Sequence, residues 1–185
     1  MNRINAREVA VQMLFAQSFA DDPELLDDAD DPYLLDEWLD ASFYERMAGE
    51  DPLYDSPPGG DAADYIRRLV SGVIEKRQEL DEAIKKYAVG WELGRMPRTA
   101  LAVMRAALYE LRYMPDVPVA AAINAHVDIA KRYDSPEVVA FINGILGSYS
   151  RAELPLSLRD IPLNPPVGFA DVPLGEGDNE GDEIP

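Results

Sequence analysis

Apolar residues recur at helical spacing along most of the first 150 positions. The first predicted helix runs to about Ser18 and opens at Asn5, which forms the pattern of a capping box with Glu8 three residues later. Its apolar residues cover most of the helix circumference: Val9, Ala10, Val11, Met13, Leu14, Phe15 and Phe19. A helix that is apolar on all sides is typically buried, so we expect this one to be central.

The second predicted helix lies within an acidic stretch. Asp31 is its predicted cap, Pro32 occupies the first helical position, and Gly49 ends it. Its apolar stripe consists of Leu34, Leu35, Trp38, Leu39, Phe43 and Met47. The flanking segments, 21–31 and 50–61, are rich in acids, Pro and Gly, and we expect them to be loops.

Five further helices are predicted, and short turns separate them. Asp61 or Asp64 opens the third, whose stripe continues into a fourth that ends near Tyr87. The fifth, sixth and seventh open at Pro97, Pro118 and the Ser135–Pro136 pair. Their stripes are carried by Tyr65, Ile66, Leu69, Val70, Val73, Ile74, Leu80, Ile84, Tyr87, Leu101, Met104, Leu108, Leu111, Ile123, Val127 and Ala130.

These segments predict an all-α, compact seven-helix bundle over residues 1–152, with no convincing strand and no internal repeat. Residues 21–64 form an acidic insert after helix 1 that carries one helix. Residues 153–185 are rich in Pro, Gly and acids without a sustained period, which predicts a disordered acidic tail. Gly72, inside the third helix, costs about 1 kcal/mol relative to Ala, so we expect another helix to approach it closely.

The net charge of −18 argues against binding to nucleic acid, but the distribution of the charges along the chain reverses that inference. Residues 21–64 contain 16 acids and one base, and residues 153–185 contain eight acids and one base. Residues 1–20 and 65–152 carry net charges of +1 and +3. The predicted helical frame is therefore mildly basic, and RNA binding is compatible with it.

Several classes of chemistry have no support in the residues. The chain contains no cysteine, which excludes disulfides and thiolate metal sites and is compatible with the reducing cytoplasm. We find no secretory signal, no apolar run of the roughly 18 to 20 residues that a membrane span needs, and no nucleotide-binding or catalytic motif. His126 is expected to be an ordinary helical histidine, and the acids of residues 27–31 lack the ligand spacing of a calcium loop. We therefore expect a cytoplasmic protein that is not an enzyme, needs no cofactor and binds no membrane.

Arg3 and Arg7 surround the start of the first helix. A cation in the first turn opposes the helix dipole, which indicates that something other than helix stability placed Arg7 there. Lys131 and Arg132, in contrast, fall in the last turn of the sixth helix, where bases complement the dipole.

Five segments in a fixed order resemble the NusB family of transcription antitermination factors over about residues 3–150. They are Ala6, Arg7 and Glu8 with Gln12; Leu108, Tyr109, Glu110 and Leu111; Val117 with Pro118; Ile123 with Asn124; and Phe141, Ile142, Asn143 and Gly144. The resemblance implies a seven-helix fold that pairs with the ribosomal protein NusE and binds the boxA element of nascent ribosomal RNA. It also implies a role in the transcription elongation complex.

The resemblance further implies roles for single residues. Arg3 and Arg7 match an N-terminal RNA-binding segment, Phe141 matches an aromatic that meets RNA, and Glu137 falls where the family often has an acid at the RNA site. Phe15 and Arg105 are expected on the partner-binding surface. The alternatives are a core position for Phe141 and Phe15, and an internally paired position for Arg105.

Two other functions stay open. The first is an interaction module or homodimer without RNA affinity, which the short basic run at the N-terminus favours. The second is an accessory to a separate RNA methyltransferase chain, since a similar helical domain precedes some of these enzymes. The family's usual charged pair before Ala102 is Ala100 and Leu101 here, and Ala125 and Gly147 stand where Glu and Asp are common.

Overall fold

The computed structural model describes residues 1–20 and 34–155, which form α-helices and 3-10 helices and no strand. The α-helices are α1 (Arg3–Ala20), α2 (Leu34–Leu39), α3 (Ala41–Met47), α4 (Asp61–Glu75), α5 (Arg77–Tyr87), α6 (Arg98–Tyr113), α7 (Val119–Tyr133) and α8 (Pro136–Glu153). Short 3-10 helices occupy Pro52–Tyr54 and Leu93–Arg95. The all-α prediction is confirmed. The predicted cap at Asp31, the whole of the predicted loop at 21–31, and residues 156–185 of the predicted tail lie outside the described residues.

Helix α1 begins two residues before the predicted capping box. The side-chain Oδ1 of Asn2 accepts a hydrogen bond from the backbone N–H of Asn5 at 2.9 Å, and the Asn2 carbonyl accepts from Ala6 at 3.0 Å. Asn2 is therefore the cap, and the predicted box of Asn5 and Glu8 is wrong. This shift places Arg7 in the second turn of α1.

The predicted second helix is divided in two at Asp40. The backbone of Asp40 is extended, with φ −74° and ψ 136°, and its Oδ1 accepts a hydrogen bond from the N–H of Ser42 at 2.9 Å. Asp40 therefore caps α3 and separates it from α2. Part of the predicted loop at 50–61 is also ordered, because the 3-10 helix Pro52–Tyr54 buries Leu53 and Tyr54 in the core.

Helix α6 occupies the centre of the bundle and contacts α1, α4, α5, α7 and α8. It approaches α4 closely at Gly72, where a Cβ would lie 2.0 Å from Cζ of Tyr109 on α6. The expected close approach at Gly72 is confirmed, and the space that a side chain would need there is filled by the Tyr109 ring.

The predicted start of the last helix is confirmed. Ser135 is the cap of α8, its Oγ accepts from the N–H of Val138 at 3.5 Å, and Pro136 is the first helical residue. None of the helices in the described ranges has a stretch long and apolar enough to cross a bilayer. The same ranges contain no group of three or more His, Asp or Glu side chains that could hold a metal ion. Residues 27–31, considered above for calcium, lie outside them.

Candidate nucleic-acid interface

Arg3 is the exposed cation at the N-terminus of α1. Its guanidinium carbon lies 4.2 Å from the centre of the Tyr65 ring on α4. Attraction between the cation and the ring face holds the side chain in place while its charge stays in contact with solvent. Arg3 therefore presents a positioned positive charge at the surface, as a phosphate contact requires.

Arg7 points the opposite way, into the core. Its side chain is 8% exposed, and it forms a two-pronged pair with Glu110 on α6. Nε of Arg7 lies 3.1 Å and 3.0 Å from the two carboxylate oxygens of Glu110, and Nη2 lies 2.9 Å from Oε1. This guanidinium is held inside the bundle by a buried carboxylate, and the RNA contact that the resemblance implies for Arg7 stays a prediction.

Tyr65 and His126 complete the buried cluster around Glu110. The Tyr65 hydroxyl donates to Oε1 of Glu110 at 2.8 Å, and burial, followed by the nearby Glu110 charge, raises the pKa of Tyr65. His126 is fully buried on α7, with Nδ1 2.9 Å from the carbonyl of Ala122 and 3.6 Å from Oε2 of Glu110. The cluster joins α1, α4, α6 and α7, so its geometry is that of a structural network in the core.

His126 is expected to make folding sensitive to mild acid. Burial lowers the pKa of His126 and outweighs the opposing attraction of Glu110. The unfolded chain therefore takes up a proton near pH 6.5 that the folded chain takes up only at lower pH, so stability falls as the pH drops through 6.5. We expect the free energy of unfolding to fall between pH 7.5 and 5.5 with a slope of at most about 1.4 kcal/mol per pH unit.

Urea unfolding at a series of pH values measures this slope. His126 is the chain's single histidine, so His126→Gln should remove the dependence within this window. A free energy of unfolding that rises towards pH 5.5 would show that Glu110 holds His126 in its charged form in the fold.

Glu8 organises a second polar network, at the surface between α1 and α7. Glu8 is buried, and its two oxygens accept hydrogen bonds from Nη1 of Arg132 at 2.8 Å and 2.7 Å. Tyr133 donates its hydroxyl to Glu8 at 2.7 Å, and Gln12 donates to the Tyr133 hydroxyl at 2.8 Å. The Arg132 side chain is 60% exposed. Arg132 is therefore a positioned positive charge at the surface as well as a base in the last turn of α7. No local pattern indicated the pair, since 124 positions separate its partners.

The first turns of α8 hold the other two residues predicted to meet RNA. Glu137 is exposed, and its hydrogen bond with the Ser135 side chain lowers its pKa, so it is ionised at neutral pH. Phe141 is only 7% exposed, and the indole of Trp91 covers its ring at a centroid distance of 4.9 Å. The alternative of a core position is therefore confirmed for Phe141. The RNA contact that the resemblance implies for it stays a prediction.

The two residues predicted to bind a protein partner differ in accessibility. Phe15 is half-buried, and its ring packs edge-on against Phe19 on the same helix at 5.0 Å. Arg105 donates from Nε and Nη2 to the carboxylate of Asp81 on α5 at 2.7 Å and 3.0 Å, and its side chain is 11% exposed. The internally paired alternative is therefore confirmed for Arg105, whereas the partner contact at Phe15 stays a prediction.

The described residues form an all-α bundle with one core, in which a buried ion pair joins α1 and α6 and an arginine is exposed at the N-terminus. The sequence model of the NusB family matches residues 4–151. The chain belongs to the NusB family. The predicted family membership is confirmed.

Relatives in this family cover nearly the same length. The transcription antitermination protein NusB of Carboxydothermus hydrogenoformans is 37% identical over 147 residues, which is 80% of this chain and 91% of that protein. The protein of the same name from Thermoanaerobacter sp. (strain X514) is 36% identical over 155 residues, or 83% of this chain and 93% of that one.

Solved structures share the fold. NusB of T. maritima superimposes with a TM-score of 0.69 at 26% identity, covering 87% of this chain and 99% of that chain. A chain from the crystal structure of antitermination factors NusB and NusE with double-stranded RNA has a TM-score of 0.59 and covers 81% of this chain and 96% of that one. Its identity is 19%, so this second likeness shows the fold alone.

Proposed function

We propose that this protein is a cytoplasmic transcription antitermination factor that binds boxA RNA of nascent ribosomal RNA transcripts together with the ribosomal protein NusE, in the transcription elongation complex. The observation that carries the proposal is the family match over residues 4–151, together with relatives that are transcription antitermination proteins. The structure with the 0.59 TM-score, which shares the fold, was solved with NusE and double-stranded RNA.

Arg3 is the residue best placed to contact an RNA phosphate. Arg3 is exposed and held over Tyr65, whereas the guanidinium of Arg7 is buried and paired with Glu110. Glu137 and Arg132 are exposed near the ends of α8 and α7, and they supply further polar groups. Phe15, half-buried on α1, is the residue proposed to meet the protein partner.

Arg3→Ala is expected to weaken RNA binding through electrostatics alone. Loss of one single-strand phosphate contact flattens the slope of log affinity against log salt by about 0.7. The slope is measured by anisotropy titrations of boxA RNA and a scrambled RNA at several salt concentrations, with and without NusE. The preference for boxA over the scrambled RNA should survive the substitution, because phosphate contacts carry little sequence information.

Lys131→Ala is the matched control, since Lys131 is an exposed base paired with Asp128 at 2.8 Å. It should leave the slope unchanged. Equal binding of the two RNAs by the unmodified protein would contradict sequence-specific recognition. An unchanged slope in Arg3→Ala would place the RNA surface away from α1. Absence of binding to either RNA by the unmodified protein would favour the interaction module without RNA affinity.

A further inference from the structure

Trp91 is a half-exposed indole fixed on the loop between α5 and the 3-10 helix Leu93–Arg95. The residue is 50% exposed. Its backbone N–H donates to the carbonyl of Ala88 at 3.0 Å, and the preceding Gly90 has φ +84°, a conformation that favours glycine. The loop is thus a closed turn that holds the indole at the surface.

Phe141 supports Trp91 from below. The two ring centroids lie 4.9 Å apart with the planes inclined at 42°, and Phe141 itself is nearly inaccessible. One side of the indole therefore rests on the core, and the rest of it is in water. A ring that is held on one side and open on the other needs little ordering before it stacks on a second ring.

We propose that Trp91 is the platform on which one nucleobase of the bound RNA stacks, with Phe141 as its support. This inference rests on the proposed function, because it takes RNA as the ligand. Five large apolar side chains are exposed among the described residues, namely Ile4, Ile74, Val89, Trp91 and Tyr133. Two of these have rings, and the Tyr133 hydroxyl is occupied by Glu8 and Gln12. Of these two residues, Trp91 is the one whose ring forms no hydrogen bond within the described residues.

The size of the patch favours a base over a protein. Trp91 has one exposed apolar neighbour in the loop, Val89, so the patch is far smaller than the roughly 800 Å² that each partner contributes to a stable protein interface. A single base is large enough to cover an indole and needs no larger apolar surface. Arg95 lies four residues on, with its side chain 82% exposed and its Nε 3.5 Å from the equally exposed Glu92. A pair this open is weak, so Arg95 is able to turn to the phosphate beside a stacked base.

The chain's two tryptophans allow a direct test. Trp38→Phe leaves Trp91 as the single tryptophan, and Trp91→Phe leaves Trp38. Titration with boxA RNA should quench the emission of the Trp38→Phe protein and leave that of Trp91→Phe unchanged, since stacking on a base quenches an indole. Labelled-RNA anisotropy is measured on the same samples.

Trp91→Ala should weaken RNA binding by roughly 5- to 150-fold, the range found when one base loses its aromatic partner. The salt slope should stay constant, and Trp91→Phe should keep most of the affinity because a ring is retained. Val89→Ala removes the neighbouring exposed side chain and serves as the control with unchanged affinity. Thermal melts of each variant show whether a loss of affinity comes from unfolding.

Three results overturn the inference. Unchanged RNA affinity in Trp91→Ala with unquenched Trp91 emission removes Trp91 from the site, while binding by the unmodified protein leaves the proposed function intact. Absence of RNA binding by the unmodified protein, alone and with NusE, defeats the proposed function and this inference together. A change in Trp91 emission on adding NusE without RNA would make the indole a protein contact.

Discussion

Replacement of Glu110 with Gln should lower the free energy of unfolding by about 3–5 kcal/mol, the usual cost of removing one member of a buried ion pair. Gln keeps the shape of the side chain and removes its charge. Arg7, 8% exposed, would then keep a buried positive charge without its carboxylate. Tyr65 would also lose a charged acceptor for its hydroxyl, and His126 its neighbouring anion. Urea unfolding followed by circular dichroism measures the loss.

A matched substitution on the surface separates the effect of burial on stability from the effect of losing a charge. Asp128→Asn breaks the pair with Lys131, whose two side chains are 69% and 60% exposed, and should change stability by less than about 1 kcal/mol. The double variant Arg7→Met, Glu110→Leu should recover much of the loss seen in Glu110→Gln, because no charge is then left buried. A loss of less than about 1 kcal/mol in Glu110→Gln would show that water reaches Arg7 and that the pair is not a core element.

Phe141→Ala should destabilise the fold by about 3–5 kcal/mol, as large-to-small substitutions of buried Phe do. Phe141 is nearly inaccessible at the start of α8, and its removal leaves a cavity beneath Trp91. The loss in RNA affinity should follow the loss of folded protein. Thermal melts and RNA titrations of the same samples distinguish this core effect from loss of a binding surface.

Ile4→Ala is the control for Phe141→Ala, since Ile4 is an apolar residue that is 63% exposed. It should change the melting temperature little. Phe141→Leu should cost less than Phe141→Ala because it fills more of the cavity. An unchanged melting temperature in Phe141→Ala would contradict the core position of Phe141.

Helix positions could be predicted largely from the sequence because the signals are local. The stripe of Leu101, Met104, Leu108 and Leu111 marks α6, and all but the half-buried Leu101 are buried there. Ser135 with Pro136 marks the start of α8, where a cap and a first-turn proline act within one turn. Both errors in capping also concern local signals. Asn2 and Asn5 are alternative caps for α1, and Asp40 divides an apolar stripe whose helical period continues through it.

The candidate site was harder to predict, because a residue type does not state which way its side chain points. Arg3 and Arg7 are both basic residues of one helical segment, separated by about one turn. One lies over Tyr65 in solvent and the other is buried against Glu110. Phe141 fitted the pattern of a ring that meets RNA, and its burial depends on Trp91, which is 50 positions earlier in the chain.

The sequence by itself determined most of the helices, the mildly basic frame outside the two acidic stretches, and the family, since periodicity, charge and ordered motifs are properties of the chain. Only the tertiary structure decided which polar side chains pair with each other within the fold. Arg7 and Glu110 are 103 positions apart, and Glu8 and Arg132 are 124 apart. The physical reason is that a buried charge needs a partner from whichever helix packs against it, and packing of α1 on α6 and α7 is set by the whole core.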